Sequence, residues 1–269
     1  HEFVTSPEKR RLLSQLSKTA ETGRVVTSDS LFSTNDGLMY RFPSIQGYDP
    51  LILKKYVDFV LHSQGVPPND HVVNLQDIPA PQDKLIKLLN ARQSVSEGQV
   101  EELENEIPYA FLVPAGAVKS EELTLQFMKS EEFDPLKTVL FSEKPNQGLL
   151  MGDPKRPFIG SCEVLNHRTG EIRFRISCNQ PCYLVMSEIW YPGWVASVNG
   201  KDREVICGNY LFRVVPVEEG DQEVTVRFVS RTFRVGALVS AATMVLGGLF
   251  WWHCRRRTLK GFQKRSSAV

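Results

Sequence analysis

The chain has 269 residues, with 32 Lys and Arg against 31 Asp and Glu and a formal net charge of +1. Six of the basic residues, Arg255, Arg256, Arg257, Lys260, Lys264 and Arg265, follow residue 254, so everything before them is mildly acidic. That balance excludes a nucleic-acid-binding protein, which needs a basic footprint, and the length allows two modest domains before a C-terminal anchor.

Ser6-Pro7 predicts a helix start, with a capping side chain, proline at the first helical position and Leu12, Leu13 and Leu16 at helical spacing, ending by Gly23. Arg24 to Ser28 reads as a short strand and Ser28 to Gly37 as a loop. In Gly47-Tyr48-Asp49-Pro50, Asp49 is placed to accept backbone N–H bonds and Pro50 to set the first turn of a helix carrying Leu53, Tyr56, Val57, Val60 and Leu61. Gly65-Val66-Pro67-Pro68 stops it. A second helix is predicted over Pro81 to Asn90, then strands over Ala91 to Val95 and Tyr109 to Val113. Glu121 to Lys129 reads as a helix with Leu123 and Phe127 on one side, and Thr138 to Phe141 as a strand. Mixed helices and strands over residues 1–150 predict an exterior α/β region.

From about Pro157 the pattern changes to strands and turns. Cys162 to Asn166 and Ile172 to Ser177 flank a hairpin turn closing at Gly170, and Tyr183 to Ile189 follows. Trp194 to Val198 runs into Asn199-Gly200, the strongest hairpin signal in the chain, because both residues tolerate positive φ. Tyr210 to Val215, a turn at Glu218 to Asp221 and Glu223 to Val229 complete an antiparallel β-sandwich of about seven strands over residues 157–230. The fold class expected is α+β.

Val235 to Trp252 is an uninterrupted stretch with no ionisable side chain, long enough for a transmembrane helix. Trp251 and Trp252 mark its basic boundary, where indole rings favour the headgroup region. The basic tail, residues 253–269, places that end in the cytoplasm and residues 1 to about 234 outside. Gly236, Ser240, Thr243 and Gly247 form a small-residue stripe that suits either helix packing or plain anchoring. Because the chain begins with His1 rather than methionine, it reads as the C-terminal piece of a longer protein whose earlier membrane helices delivered it across the bilayer.

Cys162, Cys178, Cys182 and Cys207 lie in the exterior part and Cys254 at the inner end of the span. An even exterior count permits two disulfides, with Cys178 and Cys182 closing a small loop, and buried free thiols fit equally well. His62, His71 and His167 are scattered and read as surface residues, with no zinc or triad spacing. Two groups of residues are candidates for binding. Trp190, Tyr191 and Trp194 offer three aromatic faces within five residues for stacking on a sugar, although packing in a sandwich core is the commoner use of such residues. Tyr48 and Asp49 read as the acceptor-side lining of a substrate chamber, or, for Asp49, as a structural helix cap.

Trp190-Tyr191-Pro192-Gly193-Trp194, Asn199-Gly200-Lys201, Val215-Pro216, the acidic Gly turn and a strand leading into the last helix together resemble the C-terminal end of the YfhO family of bacterial membrane proteins. Gly47-Tyr48-Asp49-Pro50, Leu88-Leu89-Asn90, Pro108 to Val113 and Phe133-Asp134-Pro135 agree in order, so the resemblance covers nearly the whole chain. It implies a polytopic GT-C-type glycosyltransferase that moves a sugar from a polyprenyl-phosphate donor to an envelope glycan. The acidic catalytic residue of such enzymes lies in an early exterior loop, so the resemblance implies no catalytic residue in this chain. It also implies no cofactor of its own here, though a divalent metal fits the whole enzyme. The implied partners are membrane lipid, the N-terminal membrane helices, a lipid-linked sugar and the envelope glycan, and nucleic acid is excluded. The rival expectation is a non-catalytic, membrane-anchored envelope module that binds carbohydrate or a protein.

Overall fold

The computed structural model describes residues 6–16, 23–28, 30–67, 72–76, 78–146 and 148–266, with side chains as far as residue 252. It divides into two compact units, His1–Arg227 and Phe228–Val269. The first part of the chain forms α1 (Pro7–Leu16), β1 (Arg24–Thr27), α2 (Asp36–Tyr40), β2 (Gly47–Tyr48), α3 (Lys54–Ser63), β3 (Asn74–Leu75), α4 (Lys84–Leu88), β4 (Ala91–Ser96) and β5 (Gln99–Glu102). It continues through β6 (Ala110–Val113), β7 (Ala115–Val118), α5 (Glu121–Lys129) and β8 (Thr138–Phe141). Strands then dominate: β9 (Gly160–Arg168), β10 (Glu171–Cys178), β11 (Cys182–Ile189), β12 (Trp194–Val198), β13 (Lys201–Arg203), β14 (Ile206–Gly208), β15 (Phe212–Val217) and β16 (Glu223–Phe228). The fold is α+β, as expected.

Two sheets face each other, one in the order β13-β12-β16-β10-β9 and the other β14-β15-β11-β6. The first alternates cleanly: Ile172, Phe174 and Ile176 of β10 and Val224 and Val226 of β16 point into the sandwich core, while Arg173 and Arg175 face water. Asn199 and Gly200 adopt φ of 48° and 78° between Val198 and its partner Lys201, the left-handed pair that a two-residue hairpin demands. The second sheet has no wet face on its three main strands. Leu184 and Met186 of β11 and Val215 and Val217 of β15 enter the sandwich core. Their neighbours Tyr183, Val185, Phe212 and Val214 face the opposite way, into a second core with Phe59 and Val60 of α3, Leu85 and Leu88 of α4, and Met128 of α5.

That second core decides the architecture. The β6 strand, Ala110–Val113, is drawn from the N-terminal region and pairs antiparallel with β11, Tyr183 opposite Val113 and Met186 opposite Ala110. The boundary expected between residues 150 and 157 is thus crossed by a sheet, and the sandwich has nine strands in its two sheets rather than about seven. Around it stand a mixed sheet β1-β4-β5, the short pair β2-β3 and the parallel pair β7-β8.

Local chemistry sets most boundaries. Ser6 Oγ accepts from Lys9 N at 3.1 Å to open α1, and the expected stop, Gly23, is outside any helix, directly before β1, with residues 17–22 lying outside those described. Asp83 caps α4 through Leu85 N at 2.8 Å, and Gly65 takes φ +73 just beyond α3. Three expectations are corrected. Asp49 does not cap α3: its Oδ1 accepts from Leu51 N at 2.8 Å, closing a tight turn over Pro50, and the helix starts at Lys54 after an extended Leu53. On α5 the buried residues are Thr124, Leu125 and Met128; of the expected pair, Phe127 packs against the core from the edge of that face and Leu123 is exposed. The stretch read as a loop, Ser28 to Gly37, is irregular in its described residues as far as Asn35, and only its last two residues enter α2, whose Asp36 is buried and ion-paired with Lys9.

Cys162, Cys178, Cys182 and Cys207 are free thiols. Burial pushes Cys162 up to about 12 and Cys207 to about 11, and raises Cys178 and Cys182 as well.

The second unit is a helix, α6 (Arg231–Ser266), starting four positions before the expected Val235. Its segment Arg231–Trp252 has 22 residues, contains a window of 18 with mean hydropathy 1.6, and is long and apolar enough to cross a membrane. At 1.5 Å per residue it extends about 33 Å, close to a hydrocarbon core. The side chains of Cys254 and of the tail from Arg255 to Arg265 lie outside those described, as does His71.

Two outcomes follow for the full chain in detergent. Phe212→Ala, cut from the second core, lowers stability by about 3–5 kcal/mol, while Leu123→Ala stays within about 0.5 kcal/mol, read by denaturant unfolding. Iodoacetamide at pH 8 leaves Cys162, Cys178, Cys182 and Cys207 unmodified in the native protein and labels all four after denaturation without reductant, as scored by peptide mass mapping.

Candidate functional site

Three charged side chains meet where β11 ends and β15 begins. Arg24, at the start of β1, donates from Nη1 to the carbonyls of Leu89 and Ser187, both at 2.7 Å, and from Nη2 to Glu188 Oε1 at 3.0 Å. One guanidinium therefore ties β1, the end of α4 and the end of β11 together. Glu188 Oε1 also accepts from the Tyr109 hydroxyl at 3.0 Å, and the Tyr109 hydroxyl oxygen lies 3.1 Å from His167 Nε2. Burial, reinforced by the negative Glu188, raises the Tyr109 phenol far above its ordinary value, so it stays a neutral donor.

Arg213 is the unusual member. Strand alternation in β15 turns it to the sandwich side between Phe212 and Val214, and it is only 5% exposed. Its Nε donates to Ile189 O at 2.8 Å, while Nη2 stands 3.7 Å from Glu188 Oε2 and Nη1 has no hydrogen-bond partner. The guanidinium carbon lies over the Trp194 ring, 3.4 Å from its centroid. Burial pulls it down to about 10 against the attraction of Glu188, which still leaves it charged at neutral pH.

A cavity of about 350 Å³ opens beside this group. Arg24, Gln46, Asp49, Tyr56, Glu188 and Arg213 give it polar walls, and Ile45, Ile52 and Leu89 an apolar one. Asp49 is exposed, so it stands at the rim, whereas Arg213 and Tyr56 lie deeper. Burial raises the Tyr56 phenol to about 12, and its hydroxyl donates to Ile45 O at 2.5 Å. A wider groove of about 750 Å³ runs over the outer face of the five-stranded sheet by Leu165, Arg175, Ser197 and Glu223. It is open to solvent and collects no buried charge, so the smaller cavity is the better candidate.

The candidates named from sequence separate. Asp49 lines the cavity, and Trp194 supports Arg213 from the other side. Trp190 packs against the sandwich core and donates from Nε1 to Val205 O at 2.9 Å, so its commoner packing role holds here. Tyr191 and Tyr48 are about half exposed, and Tyr48 is fixed through its backbone to Asn35. Neither lines the cavity. Arg24, Tyr109, Glu188 and Arg213 were not singled out from sequence. The available signal was a charged residue inside an otherwise apolar strand, most plainly Arg213 in Leu211 to Val217. Among the described residues no group of three or more His, Cys, Asp or Glu is placed to hold a metal ion.

Comparison with models of known families, with curated proteins and with solved structures finds no match, so geometry alone carries the reading of the site.

Glu188 should behave as the hinge of this cluster. Glu188→Ala strands two largely buried cations and costs roughly 3 kcal/mol. Combining it with Arg213→Leu recovers part of that loss, because the second change removes one of the stranded charges. Unfolding of the two single variants and the double variant measures the coupling, and strict additivity would disprove it.

Proposed function

We propose that this chain is the extracytoplasmic C-terminal module and last membrane span of a polytopic, YfhO-like GT-C glycosyltransferase, serving envelope glycosylation from a polyprenyl-phosphate sugar donor. Its task is to hold substrate, and the transfer chemistry belongs to membrane helices outside this chain. The observation that carries this reading is the cavity bounded by Arg24, Asp49, Glu188 and Arg213 in the first unit, in a chain whose second unit is the apolar helix from Arg231.

The chemistry of the cavity supports holding over bond breaking. A general acid or base needs a proton-accepting group free to reach the reacting atom. Glu188 is instead engaged by Arg24 and Tyr109, and Tyr56 is committed to Ile45 O. Asp49 at the rim retains a carboxylate oxygen suited to a sugar hydroxyl. In this reading the basic tail faces the cytoplasm and residues 1 to about 234 face outward. The second reading, a non-catalytic module that binds carbohydrate or protein at the envelope, draws on the same engaged charges.

Deleting the gene in its native host should remove or shorten one envelope glycan, and the complete gene should restore it. Asp49→Asn in the complete protein should reduce transfer several-fold with unchanged abundance in the membrane, judged by glycan composition and immunoblot. An unchanged glycan profile on deletion would leave the binding-module reading in its place. A membrane-impermeant label on intact cells should reach a cysteine placed at the exposed Leu51 and not one placed at Arg257.

A further inference from the structure

We propose that the cavity seats an oxyanion, the carboxylate or phosphate of a sugar-sized ligand, with the terminal fork of Arg213 as its recognising group. The inference rests on reading this module as the substrate-holding part of the protein, and it adds the charge of what is held.

A guanidinium carries five N–H donors in a rigid plane. In Arg213 only Nε–H meets an acceptor within hydrogen-bond distance, Ile189 O at 2.8 Å. The nearest carboxylate oxygen is 3.7 Å from Nη2, beyond hydrogen-bond distance, and Nη1 is buried with no partner. A buried cation with its fork unfilled is costly to fold and is what a planar, two-oxygen acceptor satisfies. Glu188 relieves only part of that cost, since Arg24 and Tyr109 hold its Oε1 and its Oε2 stays at ion-pair distance, 3.7 Å from Nη2, without closing a hydrogen bond. Trp194 lies against the guanidinium, 3.4 Å from the ring centroid, so a ligand reaches Arg213 from the side away from the indole.

Charge supports the same assignment. The inner end holds two guanidinium groups, Arg24 and Arg213, against the single carboxylate of Glu188, and the second carboxylate, Asp49, stands at the rim. A ligand with an anionic group and hydroxyls matches this gradient, its anion inward and a hydroxyl on Asp49. At about 350 Å³ the cavity admits a ligand of one or two sugar rings rather than a long chain.

The full chain in detergent is titrated with glucose 1-phosphate, glucuronate and methyl glucoside, following Trp fluorescence and heat. At least one of the two anionic sugars should bind about tenfold or more tightly than methyl glucoside, and which of them does identifies the oxyanion as phosphate or carboxylate. Inorganic phosphate or acetate should displace it. Arg213→Lys keeps a charge but loses the fork, and should abolish the preference while leaving the neutral sugar unaffected. Equal affinity for all three sugars, binding of none, or a preference retained in Arg213→Lys would overturn the proposal. If the variant does not fold, displacement by inorganic phosphate or acetate on the unaltered chain decides alone. Anion preference with an unchanged glycan profile on gene deletion leaves the site standing and removes the glycosyltransferase reading; the reverse pair of results removes only the site.

Discussion

A sheet with no wet face needs a partner on each side, and β6, β11 and β15 form such a sheet. Every residue of β15 from Phe212 to Val217 is buried, as are Ala110 to Val113 of β6 and Cys182 to Ser187 of β11. One side is closed by the five-stranded sheet and the other by α3, α4 and α5. Alternation does the sorting, since successive side chains on a strand go to opposite cores. Close packing follows: a Cβ on Gly208 would come within 2.5 Å of Val214 and 2.8 Å of Val139, so β14 approaches β15 and β8 only because that residue has no side chain. The N-terminal helices and the sandwich are mutually dependent in consequence, each covering apolar surface that the other would leave in water.

The same constraint explains where the charges are. Inside the sheet a charged side chain would lie between two apolar layers, so polar groups collect where the strands end. Glu188 and Arg213 sit at the end of β11 and the start of β15, and Arg24 reaches them from β1. Each is held by backbone as well as by its ionic partner: Arg24 by the carbonyls of Leu89 and Ser187, Arg213 by that of Ile189. Ser187 Oγ adds a bond to Leu88 O at 2.8 Å, fixing α4 to β11 beside the cavity. Such anchoring on rigid elements keeps a binding geometry from drifting.

Much of the fold was legible because it is encoded locally. The helix Glu121–Lys129, the strands Thr138–Phe141 and Trp194–Val198 and the hairpin at Asn199-Gly200 need only helical apolar spacing, β-branched residues and positive-φ tolerance. The apolar run Tyr109 to Val113 announced a buried strand, but periodicity cannot say which sheet recruits it, and β6 joins a strand some 70 residues onward. The cavity was hidden for the same reason. Arg24 and Glu188 are 164 residues apart and meet only because β1 begins beside the end of β11. Asp49 was identified both as chamber lining with Tyr48 and as a helix cap; it does line the cavity, and the turn at Leu51 replaces the cap.

Position 213 shows how function and stability pull apart in this fold. A leucine there would continue the apolar side of β15 toward Val215 and Val217 and would avoid desolvating a cation. The arginine gains a cation–π contact on Trp194 and one bond to Ile189 O, which replace only part of the water it loses. Lysine would carry the charge without a guanidinium over the indole. What distinguishes arginine from both is the planar fork, and in this cluster Arg24 occupies the carboxylate that would otherwise fill it. The cluster thus spends its one buried acid on fixing the frame and leaves the second guanidinium edge for a ligand.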